Sequence, residues 1–165
     1  MPVLPLQGAR RTPNLRQAMS LKARITADMK SAMKAGEKDR LKTVRLILAD
    51  IQRSEVDRRE ELDDTAVFGV IEKAVKQRRD SIEQFLRGGR KDLSAIEEAE
   101  LEIIQTYLPE QLSEDELATL VAEVIAATGA ENIRDMGKVM GAIKAKAAGE
   151  ADMGAVSAMV KARLA

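Results

Sequence analysis

Cysteine and histidine are both absent from the 165 residues, tryptophan is absent too, and aromatic residues make up only 2% of the chain. Without thiols there is no disulfide and no cysteine nucleophile, which fits a reducing cytoplasm. Lacking both Cys and His, the chain cannot build a Cys/His zinc site, an iron–sulfur cluster or a Ser-His-Asp arrangement. Only carboxylate, Lys, Tyr or Ser/Thr chemistry stays open. No apolar run approaches the roughly 18 to 20 residues that a membrane span needs. The formal net charge is zero, so no overall field draws the chain to a polyanion.

What remains is rich in Ala, Leu, Ile, Val, Met, Glu, Lys and Arg, with 45% hydrophobic and 33% charged residues. That is the composition of an all-α protein. Residues 1–18 carry Pro2, Pro5 and Pro13, three arginines and no acid, and show no periodicity. They read as a disordered N-terminal extension or the product of an upstream start codon, with MSLKARI at Met19 as a natural beginning; the other reading is a short targeting peptide, although the apolar core of a secretory signal is missing. From Met19 onward the pattern is helical. Leu21, Ile25, Met29 and Ala32 form a first stripe ended by Gly36, and Leu41, Val44, Leu48 and Ile51 form a second. Asp63 to Thr65 offer a cap for a third helix that ends at Gly88-Gly89. Asp92 caps a fourth helix carrying Leu93, Ile96, Ile104 and Tyr107, and Pro109 closes it. SEDE at 113–116 has capping-box spacing for a fifth helix that stops at Gly129. Asp135 and Asp152 are the expected caps of two short final helices separated by Gly149. The expected organisation is a bundle of about four longer helices over 19–108 and a three-helix tail over 109–165.

Two charges interrupt apolar stripes. Arg78 falls amid Val67, Ile71, Ala74, Ile82 and Phe85, and Glu100 amid the stripe of the fourth helix. A charge on a buried face needs a partner, so Arg78 is expected to reach Glu100 or Glu97. The competing reading is that KQRR (76–79) contacts phosphate.

The stretch GKVMGAIKAKAAG (137–149) keeps two interior glycines, each costing about 1 kcal/mol against Ala in a helix. Met136, Val139, Met140, Ile143 and Ala147 make the core face. Gly137, Gly141, Lys144 and Ala148 form a second, nearly bare stripe about a quarter of a turn away. Such a stripe lets another backbone approach closely, either a neighbouring helix or an outside partner. Arg134, Lys138, Lys144, Lys146 and Lys161 are five of the six basic residues after Leu108. With backbone amides near a helix start, they suit phosphate contacts without base reading. Few aromatics argue against single-strand stacking.

The segments VKQRRDSIEQF, AELEIIQTYLPEQLSEDEL and RDMGKVMGAIKAKAAGEADMGAVSAMVKARL resemble the YqeY family, also called GatB/YqeY-domain proteins, from about Met19 to the C-terminus. The resemblance implies a tail similar to that of the amidotransferase B subunit. That enzyme amidates misacylated Glu-tRNA(Gln) or Asp-tRNA(Asn) with glutamine as nitrogen donor, in catalytic parts that this sequence lacks. Gly137, Lys138, Gly141, Lys144, Gly149 and Asp152 match the shared motif, which makes Gly137, Lys138 and Lys144 tRNA-backbone candidates and Asp152 a structural cap. The expectation is therefore a tRNA-associated module, with a link to a glutamine-dependent carbon–nitrogen ligase by resemblance only. The alternative is a helical adaptor for a protein partner, such as a translation-related one. No catalytic residue, cofactor, metal or membrane partner is expected.

Overall fold

The computed structural model describes residues 19–165, so the expectation for residues 1–18 lies outside the described residues. The fold is all-α. The helices are α1 (Leu21–Ala35), α2 (Lys38–Arg58), α3 (Asp64–Arg87), α4 (Lys91–Gln105), α5 (Glu114–Thr128), α6 (Met136–Lys146) and α7 (Met153–Leu164). A short 3-10 turn, Ile133–Asp135, leads into α6. Among the described residues there is no strand.

The helix limits follow from local chemistry. Ser20 opens α1 by accepting from the Ala23 amide at 3.1 Å, and Gly36 closes it in the left-handed conformation. Asp63 accepts from the Ala66 amide at 2.9 Å, while Asp64 accepts from the Leu21 amide, also at 2.9 Å. One acidic pair thus starts α3 and ties the beginning of α1 to it. Ser113 and Glu116 exchange both bonds of a capping box at the start of α5. The fourth helix departs from expectation. Its cap position is Arg90, and Asp92 sits in the first turn with its carboxylate held by the Arg90 guanidinium at 3.0 and 3.1 Å. That ion pair lowers the Asp92 pKa.

Two hydrophobic clusters form. Helices α1–α4 and Tyr107 bury Ile25, Val44, Ile47, Ile51, Val67, Ile71 and Ile104, among others. Helices α5–α7 bury a second set that includes Val121, Val124, Val139, Ile143, Val156 and Val160. Each such side chain, fully buried, contributes about 1.5–3 kcal/mol relative to exposure. Ile96, expected inside, is 53% exposed. The phase of α4 is instead set by Ser94, 3% exposed, whose small side chain occupies a buried position while Leu101 and Ile103 pack against the first cluster.

Helix packing runs within each group. The groups meet through the connection after Tyr107 and the loop between α6 and α7. Leu112 donates its amide to the Glu150 carbonyl at 2.8 Å, and Gln111 Nε2 donates to the Gly149 carbonyl at 2.6 Å.

Candidate nucleic-acid interface

The glycine helix is built on a self-contained start. Asn132 accepts from the Arg134 amide at 3.0 Å, and Asp135 accepts from the amides of Glu131 (3.0 Å) and Asn132 (3.4 Å). These amide contacts hold the Asp135 carboxyl below the usual carboxylate range. This corrects the expected role of Asp135: it stands at the cap position of α6 but makes no side-chain cap bond there, because it faces back to complete the capping box of Asn132. The 3-10 turn runs directly into α6, and the amides of Arg134, Asp135 and Met136 that lead up to Gly137 already have partners.

The flank itself is open. Gly137 and Gly141 are both exposed, and a Cβ added at either would meet no atom within 4 Å. The opposite side is closed, with Val139 and Ile143 fully buried and Ala147 nearly so. Among the described residues, therefore, no element packs closely against these glycines.

The cations of the tail are unpaired. Every ion pair among the described residues joins positions between Lys22 and Glu100, and the carboxylates nearest to Arg134, Lys138, Lys144, Lys146 and Lys161 all lie beyond 4 Å. They do not form one cluster, however. Arg134 and Lys138 are exposed along the start of the glycine helix. Lys144 lines a cleft of about 580 Å³ whose other walls include Arg58, Gly69 and Lys73 of the bundle. Lys146 points to a different groove, of about 430 Å³, among Asp115, Glu116, Glu123 and Glu150. Lys161 is exposed in the last turn of α7.

In the bundle, Arg78 turns inward. Its Nη2 lies 3.3 Å from Glu100 and its Nε 3.8 Å from Glu97, with the Arg78 and Glu100 side chains only 15% and 13% exposed. Lys42 approaches Glu100 from α2 at 3.8 Å. The KQRR run is thereby divided: Arg78 is structural, while Lys76 and Arg79 are exposed.

Gly149 has a role that spacing alone did not reveal. Its φ is +75°, it is buried, and a Cβ there would stand 2.8 Å from Phe68 Cδ1 and 3.1 Å from Pro109 Cδ. The loop between α6 and α7 presses its backbone against α3 at this point, and Pro109 serves as a wall of the joint besides following α4. Glu72, one turn after Phe68, faces the same joint, and its Oε1 is buried without a hydrogen-bond partner. Burial raises its pKa and Asp152 adds to the rise, while the Gly149 amide and Lys144 oppose it. Asp152 caps α7 by accepting from the Gly154 amide at 3.0 Å. Phe68 and Glu72 carry no sequence signal for this role, since an apolar and an acidic residue four apart on a helix are ordinary.

No aromatic platform accompanies the cations. Tyr107 is 2% exposed and donates its hydroxyl to Asp28 at 2.8 Å, with Arg24 over its ring at 5.4 Å. Among the described residues no group of His, Cys, Asp and Glu is placed to hold a metal, and no helix is long and apolar enough to cross a membrane. The arrangement can hold phosphate groups by charge and close backbone approach.

Comparison with known proteins agrees with the resemblance. A relative from Vanderwaltozyma polyspora, named Altered inheritance of mitochondria protein 41, mitochondrial, is 40% identical over 85 residues, covering 51% of this chain and 46% of that protein. Its namesake from Eremothecium gossypii is 38% identical over 101 residues, 61% of this chain and 55% of the relative. The chain thus spans about half the length of these relatives. The namesake from Pyrenophora tritici-repentis is 33% identical over 130 residues, 78% of this chain and 71% of that protein. The family model described as Yqey-like protein matches residues 22–164, and the chain belongs to the YqeY family.

Proposed function

We propose that the chain is a tRNA-associated binding module whose tail, residues 109–165, engages the phosphate backbone along the Gly137–Gly141 flank. The observation that carries this reading is the open flank: two costly glycines are kept in a helix where nothing among the described residues uses the space they leave. Exposed Arg134 and Lys138 beside it, and Lys144 at its far end, supply charge, and none of the three has a carboxylate within 4 Å among the described residues. The resemblance to the amidotransferase B-subunit tail connects such a module to glutamine-dependent amidation of misacylated tRNA. Lys146, set among acids, is assigned the weakest part in the interface. The absence of cysteine suits a reducing compartment, the cytoplasm or the mitochondrion that the relatives' names specify.

A fluorescence anisotropy titration of the whole chain with total tRNA tests this. Affinity should fall steeply between about 50 and about 200 mM salt, because bound phosphates release counterions. Lys138→Glu with Lys144→Glu should weaken it further. Binding indifferent to salt and to these charges, together with a stoichiometric protein complex that survives RNase, would transfer the flank to a protein partner.

A further inference from the structure

Lys73, Lys76 and Arg79 recur every third residue along α3, forming a slanting exposed row. Each lies more than 4 Å from any carboxylate among the described residues, in contrast to Arg78 beside them. The row faces the tail. Lys73 shares the larger cleft with Lys144, and Lys76 and Arg79 line a second cleft, of about 390 Å³, whose opposite wall is the start of α7 at Asp152 and Gly154. Most acids in the two clefts are committed elsewhere. Asp50 is paired with Arg53, Asp63 and Asp152 cap helices, and Glu72 is half-buried and shifted toward its neutral form, which leaves Asp57 and Asp80 as the opposing charges. The contact of Gly149 with Phe68 and Pro109 fixes the row relative to the tail.

We infer that Lys73, Lys76 and Arg79 form the second half of one phosphate-binding track, which crosses the joint from α3 through Lys144 to the glycine flank and takes a folded, double-stranded RNA. This rests on the proposed function of the tail. Two cation groups held at a fixed spacing across a joint suit two backbone segments of a rigid duplex. With Tyr107 buried and Phe68 packed on Gly149, a single strand would find no ring there on which to stack.

The test compares the salt dependence of tRNA binding for the wild type, for Lys73→Gln/Lys76→Gln/Arg79→Gln, and for Arg134→Gln/Lys138→Gln. Each phosphate contact contributes about 0.7–0.9 to the slope of log affinity against log salt, so the α3 variant should lose roughly 2 to 3 from that slope. If it keeps the wild-type slope while the tail variant loses affinity, the track ends at the tail and the inference fails alone. If neither variant differs from wild type, the proposed function fails with it. Acetylation of the unmodified protein supplies a readout without substitution: bound tRNA should shield Lys73 and Lys76, and equal labelling with and without RNA would overturn the track. An RNA duplex should displace tRNA where poly(A) does not, and equal competition by poly(A) would overturn the duplex assignment.

Discussion

Gly149→Ala puts the joint between bundle and tail to the sharpest test. The new methyl group would sit 2.8 Å from Cδ1 and 2.9 Å from Cγ of Phe68, and 3.1 Å from the ring of Pro109, so the backbone of α3's neighbour must retreat. At φ +75° an L-residue also carries a left-handed penalty of about 1–2 kcal/mol. Overpacking adds about 1–3 kcal/mol. The reduced freedom of unfolded Ala offsets about 0.4–1 kcal/mol of this, leaving a net destabilisation of about 1–5 kcal/mol. Urea denaturation followed by far-UV circular dichroism measures the total, and hydrogen exchange in the loop between α6 and α7 locates it. The two contributions separate in a double-mutant cycle: in a Phe68→Ala background most of the steric part disappears while the backbone part persists. A Gly149→Ala penalty within about 0.5 kcal/mol of zero, the range of ordinary surface changes, would refute the close contact. An equal penalty with and without the Phe68 ring would refute its assignment to that ring.

Three other outcomes follow from named contacts. Arg78→Ala leaves Glu100, 13% exposed, with only Lys42 at 3.8 Å, and should lower stability by about 1–3 kcal/mol in thermal or urea unfolding. Glu72 binds its proton more tightly in the folded chain than in the unfolded one, so its contribution to stability falls as pH rises through the raised titration range. Glu72→Gln should therefore be more stable than wild type at neutral pH, with the difference shrinking on acidification; urea midpoints across pH check this. Arg59, the non-glycine residue at φ 55° that ends α2, should accept glycine with a gain of about 1 kcal/mol, read as a raised melting temperature.

Much of this architecture is legible from local rules, because helix ends are decided by a few neighbouring atoms. Gly36 and Gly129 end helices in the left-handed region, Asp63 and Ser113 start them, and Arg78 and Glu100 meet. The misreadings came where a local rule had two solutions. Asp92 could cap α4 or pair with Arg90, and the guanidinium two residues away won. Asp135 could face α6 or turn back to Asn132, and the 3-10 turn decided for the latter. Ile96 shows that apolarity does not fix helix phase when a small Ser94 can be buried instead. In the candidate site, the bare flank of α6 is visible in the spacing of its glycines, whereas whether another helix covers it depends on tertiary packing. The joint at Gly149 was hidden for the same reason, since its partners Phe68 and Glu72 lie on a helix far away in sequence.

Whether RNA lies along the bare flank of α6 is decided by tRNA binding of Gly137→Ala/Gly141→Ala, taken together with its stability. Because an added Cβ meets nothing within 4 Å at either site, the folded chain should gain about 1 kcal/mol per substitution from helix propensity, while two methyl groups now stand where the RNA backbone would lie. The doubly substituted protein should be more stable and bind tRNA more weakly. A more stable protein with undiminished tRNA affinity would contradict this expectation.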